Sequence, residues 1–212
     1  MSQDPTVPRT PVLRLLIAED VDLVAEAFEA LLSVEPAFEV VGRVGRGDVV
    51  ARTVLDLSAD VVVMDIDMPG ATGIEATSHV KQVAPDCKVL LLTALPGSGH
   101  VHRALAAGAD GYLVKSTTGA RLLDAIKKVA AGGTVIDPDL AADALRVGPC
   151  PLTDREVEIL TPVSQGATTE ETAGVLFLSA GTVRNYLSNA MTRLGVSTRM
   201  QAVSLATERG WL

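Results

Sequence analysis

Val61-Val62-Val63-Met64-Asp65-Ile66-Asp67-Met68-Pro69-Gly70 carries four apolar residues into a carboxylate and then into a turn. An unbroken apolar run of this length predicts a strand buried on both faces, as in parallel sheets covered by helices. A strand that stops on an acid holds a charge at the rim of the core, which proteins tolerate chiefly where chemistry needs it.

Outward from this run, short apolar segments at residues 12–18, 39–44, 89–93 and 111–114 predict four more strands. Helical stretches lie between them. In the first, Leu23, Val24, Ala27, Phe28, Leu31 and Leu32 recur at the spacing of a helix with one buried face. Residues 48–57, 72–83, 100–107 and 118–131 repeat the pattern. Five strand-helix units predict a doubly wound, five-stranded parallel α/β sheet, since right-handed crossovers place helices on both faces. Aromatic residues make up only 3% of the chain against 48% hydrophobic, so the core is expected to be aliphatic.

Strand ends in such a sheet share one rim, where ligands bind. Here the ends are Glu19-Asp20, Asp65, Thr93 and Lys115. Three carboxylates at one rim repel each other, which implies a hard divalent cation; oxygen ligands with open water positions suit Mg²⁺. Lys115 adds a positive charge and Thr93 a hydroxyl donor, a set able to hold the equatorial oxygens of a phosphoryl group. Any one of these residues at a strand end is ordinarily a turn former or cap; the ordered set carries the argument.

The ordered set Ile17-Ala18-Glu19-Asp20, Met64 to Gly70, Leu92-Thr93-Ala94 and Gly111-Tyr112-Leu113-Val114-Lys115-Ser116 resembles the receiver domain of two-component response regulators, a flavodoxin-like fold. The resemblance implies that Asp65 is the phosphoacceptor and that Glu19 and Asp20 bind the metal, with Asp67 adding its backbone carbonyl. It implies that Thr93 and Lys115 contact the phosphoryl group and that Tyr112 moves with Thr93. It also implies a sensor histidine kinase as partner.

After Gly132-Gly133 the strand pattern ends. Residues 133–151 hold Pro138, Gly148, Pro149 and Pro151 around a short apolar piece and predict a linker with one or two helical turns. Four helical segments follow over 152–212. Thr153 and Glu156 form a capping-box pattern, Thr168 and Glu171 a second, and Ser179 opens a longer helix. Two short helices joined by a turn outline a helix-turn-helix. Residues 152–160, 178–186 and 193–203 resemble the LuxR-type helix-turn-helix, and with the receiver they match the NarL/FixJ class of response regulators. The run from Gly181 to Ser188 and the Glu208-to-Trp211 ending look most like its DesR branch. The resemblance implies a double-stranded DNA promoter as partner, dimerisation on phosphorylation, and contacts from Ser179, Thr182, Val183, Arg184, Tyr186, Arg193 and Arg199.

Two residues depart from the family pattern. Pro162 falls inside the first helix of the second domain, where it should kink or stop it. Thr172 stands where a β-branched aliphatic is usual and brings a hydroxyl that needs a partner. After residue 150 there are five Lys or Arg against six Asp or Glu, so the domain lacks the basic footprint of most DNA binders.

Cys87 and Cys150 have no metal or disulfide spacing. Residues 1–11 are polar and hold three prolines, so they predict a disordered leader without signal-peptide or membrane character, on a cytoplasmic protein. Asp65-Ile66-Asp67 also resembles the nucleophile motif of haloacid-dehalogenase-type phosphatases, but those need an acidic pair after the lysine, where only Asp137 and Asp139 follow. A regulator that uses its receiver only to dimerise, and metal binding by His100-x-His102, are weaker readings.

Overall fold

A computed structural model describes residues 12–94, 98–148 and 150–212; the expected leader, residues 1–11, lies outside them. In chain order the sheet and the helices between its strands are β1 (Leu13–Ala18), α1 (Asp22–Leu32), β2 (Phe38–Val44), α2 (Gly47–Leu57), β3 (Val61–Asp65), α3 (Gly73–Val83), β4 (Lys88–Thr93), α4 (Ser98–Ala106), β5 (Gly111–Val114), α5 (Gly119–Ala130) and β6 (Val135–Ile136). Every strand pair is parallel, in the order β2-β1-β3-β4-β5-β6. The winding reverses between β1 and β3, so their C-terminal ends flank a crevice.

Strand β3 is buried at all five positions, as its apolar run requires. Leu15, Ile17, Val61, Val63, Leu90, Leu92 and Leu113 pack on one face against Ala25 and Leu32 of α1 and Leu122, Ile126 and Val129 of α5. Leu16, Val62, Met64, Leu91 and Tyr112, one residue out of phase, are equally buried and point the other way.

Two features depart from the expectations. Helix α1 turns Ala25, Phe28 and Leu32 inward, which leaves Leu23 76% exposed and Ala27 exposed on the opposite side. The six apolar positions span more than one face, so spacing alone could not choose between them. The sheet also gains a sixth strand: Val135 pairs with Gly111, and Asp137 N–H donates to Tyr112 O at 3.0 Å. Two residues are too few to carry a periodic signal.

The chain divides into two compact units, and the first ends at Asp137. The second contains α6 (Pro138–Val147), α7 (Asp154–Ser164), α8 (Thr169–Val175), α9 (Ala180–Leu194) and α10 (Arg199–Glu208). Helix α6 lies inside the expected linker and is longer than one or two turns. Leu152, Ile159, Leu160, Val163, Ala173, Val183, Leu187, Ala190, Ala202, Ala206 and Trp211 form a second core. Thr153 with Glu156 and Thr168 with Glu171 close capping boxes, and the Ser179 hydroxyl accepts the Thr182 N–H at 3.0 Å. Pro162 does not stop α7 at once: the helix runs two residues further, and the Pro162 carbonyl accepts the Gln165 and Ala167 amides that turn the chain away.

Candidate functional site

Strands β1, β3, β4 and β5 end together, and parallel register sets the depth of each terminal group. Ala18 lies beside Met64, so Glu19 emerges level with Asp65; Asp65 lies beside Leu92 and Thr93 beside Val114, so Thr93 stands one residue and Lys115 two residues beyond that level, on the same rim. Glu19, Asp65 and Thr93 are buried at 3%, 5% and 2% exposure, while Asp20 and Asp67 face solvent.

The Lys115 Nζ donates to Glu19 Oε2 at 2.7 Å and stands 3.0 Å from Asp65 Oδ1. The second approach pairs the charges, and the Lys115 ammonium thus bridges the two buried carboxylates. Glu19 Oε1 accepts the Val21 N–H at 3.3 Å. One oxygen each of Glu19, Asp20 and Asp65 lies within 4.8 Å of the others, the one such grouping of three potential ligands among the described residues. His100-x-His102 forms no comparable group. Asp137, which a phosphatase reading would recruit, instead pairs with Arg121 at 3.4 Å.

Electrostatics follow from this burial. Desolvation pushes the Asp65 carboxyl above the ordinary carboxylate range, by more than the Lys115 charge pulls it down. Burial likewise disfavours the Lys115 ammonium, but Glu19 and Asp65 outweigh it and raise the lysine above its usual value. An oxygen-only cluster of three carboxylates facing one ammonium fits a hard cation such as Mg²⁺, which would supply the further positive charge that the cluster needs.

Tyr112 is fully buried beside Thr93, and burial raises its hydroxyl well beyond the ordinary range, with Thr93 acting in the opposite sense. The phenol oxygen has no partner of full hydrogen-bond geometry.

In the second unit, α9 places Val183, Leu187 and Ala190 inward at i, i+4 and i+7. Val183 is therefore a core residue at 0% exposure, whereas the family resemblance implied a DNA contact for it. The Ser179 and Thr182 hydroxyls bond each other at 2.8 Å, and Tyr186 packs half-buried against the core. Arg184 is exposed, 3.8 Å from Glu170, and Arg199 is exposed at the start of α10. The Arg193 Nε donates at 3.1 Å to Glu156 Oε1, whose residue is 2% exposed. Asn185 and Ser188 share the exposed stripe with Gly181 and Arg184, opposite Val183 and Leu187.

The family model of the response regulator receiver domain matches residues 15–127, and that of bacterial regulatory proteins of the luxR family matches residues 150–206. Transcriptional regulatory protein DesR of Bacillus subtilis (strain 168) is 38% identical over 200 residues, covering 94% of this chain and 99% of the relative. Uncharacterized transcriptional regulatory protein YvfU of the same organism is 38% identical, covering 95% of this chain and all of the relative. Among solved structures, response regulator ChrA of a heme-sensing two-component system is 31% identical, covers 95% of this chain and 99% of its own, and superposes with a TM-score of 0.56.

Proposed function

The chain is a response regulator, a receiver domain joined to a LuxR-family DNA-binding domain, and from that premise we propose that Asp65 accepts a phosphoryl group from a sensor histidine kinase and thereby controls promoter binding. Its family is one of transcription regulators rather than of classical enzymes. No helix among the described residues is long and apolar enough to cross a membrane; control of a promoter is a task for the cytoplasm.

The Asp65 carboxylate attacks phosphorus, the bond to the kinase histidine breaks, and the imidazole nitrogen keeps the electron pair. Glu19, Asp20, Asp65 and the Asp67 carbonyl would hold Mg²⁺, which would supply positive charge to offset repulsion between carboxylate and phosphoryl group. Lys115 leaves its two carboxylates to meet one phosphoryl oxygen, and the Thr93 hydroxyl donates to another. Tyr112 follows Thr93, which changes the packing of β4 and β5. Phosphorylation adds roughly one to two negative charges at Asp65, enough to bias such a repacking.

The observation that carries this reading is the Lys115 ammonium set between the buried carboxylates of Glu19 and Asp65, at 2.7 and 3.0 Å. The test is intact mass after incubation with acetyl phosphate and Mg²⁺. The native chain should gain one phosphoryl group and Asp65→Asn none; equal uptake by both would refute the assignment.

In the second unit, Arg184, Asn185 and Ser188 read the major groove, and a dimer doubles a contact set that is small in one near-neutral domain.

A further inference from the structure

The turn between β2 and α2 contributes none of the ligands assigned to the cation site, yet it touches both segments that carry them. On one side, Glu19 N–H donates to Val44 O at 2.9 Å, and a methyl group added at Gly45 would lie 3.6 Å from Asp20 Cα and Glu19 O. On the other side, buried Gly47 donates its N–H to Pro69 O at 3.1 Å, in the loop that carries Asp67. A Cβ at Gly47 would stand 2.0 Å from Ala71 O and 2.8 Å from Ala71 C. Those are backbone atoms, so no side-chain rotation relieves the overlap. Gly70, between Pro69 and Ala71, has φ +85°, and the Asp48 carboxylate paired with Arg46 at 2.8 Å covers it.

We infer that Gly47 is a positioning residue for the divalent-cation site: its missing side chain and its amide seat the Asp67 loop at the distance from Glu19 and Asp20 that a shared cation requires. The inference rests on the assignment of the acid cluster as a cation site. An alanine there forces the loop outward while leaving every ligand residue unsubstituted, and loss of such an outer support costs about 10-fold to 100-fold in metal affinity.

The test is calorimetric titration of the full chain with Mg²⁺ alone. Gly47→Ala should unfold cooperatively and bind Mg²⁺ at least about 10-fold more weakly than the native chain. Gly45→Ala, whose added carbon has ordinary room, should bind like the native chain. Native affinity in a folded Gly47→Ala overturns the inference, and so does an equal loss in Gly45→Ala, which would assign the effect to general stiffening of the turn. If Gly47→Ala does not fold, hydrogen exchange of the native Gly47 amide decides: slower exchange on Mg²⁺ saturation supports the seat, and unchanged exchange overturns it. No Mg²⁺ binding by the native chain would instead sink the reading of the acid cluster, and the inference with it.

Discussion

Thr172 is completely buried, and its hydroxyl has no hydrogen-bond partner among the described residues. A stranded hydroxyl costs more than the shape of the side chain gains, so Thr172→Val, nearly equal in volume, should raise the stability of the DNA-binding domain by about 1 kcal/mol. Thermal unfolding of the two proteins checks this, and a lower midpoint for the valine variant would show that the hydroxyl has found a partner. Cys87 is a second residue whose burial has a measurable effect, since desolvation pushes its thiol up to about 11 from 9.0. The unfolded chain loses this proton first, so the stability Cys87 contributes is intact below pH 9 and lost as the pH rises through about 11. A disulfide reagent at pH 8 should therefore modify Cys87 slowly in the native state, and rapid labelling would contradict its burial. On α9, Val183→Ala should cost roughly 2 kcal/mol of stability, because it empties part of the core. Asn185→Ala should leave stability nearly unchanged and relax base preference by about 1–3 kcal/mol at one position, measured by competition between operator variants.

At the scale of single elements, the legible parts were those in which pattern and position agree. Strand β3 could be read because five buried positions in a row exclude the alternation of a half-exposed strand. Glu19, Asp65 and Lys115 could be joined because parallel register brings strand ends to one rim whatever the intervening helices do. Rotation of a helix about its axis was less legible. In α1, apolar residues occupy several faces, and Leu23 went outward; in α9, the family pattern drew attention to Val183 although its spacing from Leu187 and Ala190 placed it inside. Arg193 shows a further limit, since a sequence cannot say whether a basic residue serves DNA or its own fold. Here it ties α9 to the first turn of α7, where Glu156 also closes the capping box. Arg193→Ala should destabilise the domain by about 1–2 kcal/mol, discounted for the exposed guanidinium. Arg184→Ala should instead lower the slope of log affinity against log salt by about 0.9, the signature of a lost phosphate contact. A slope change of that size for Arg193→Ala, with stability intact, would return Arg193 to the DNA interface.

Across the whole molecule, charge is unevenly spent. The receiver gathers acids around one lysine, whereas the DNA-binding half has five basic residues against six acidic ones after residue 150. One copy thus has little electrostatic affinity for a polyanion, and two copies held in register would combine their contacts. That makes association the natural point at which an added charge on Asp65 could control DNA binding. The direct test is light scattering of the full chain in Mg²⁺, with and without beryllofluoride as a phosphoryl mimic, for the native protein and Asp65→Asn. The native particle should double in mass when the mimic is added while Asp65→Asn remains a monomer; a native mass unchanged by the mimic, or a doubling that persists in Asp65→Asn, would refute control by Asp65.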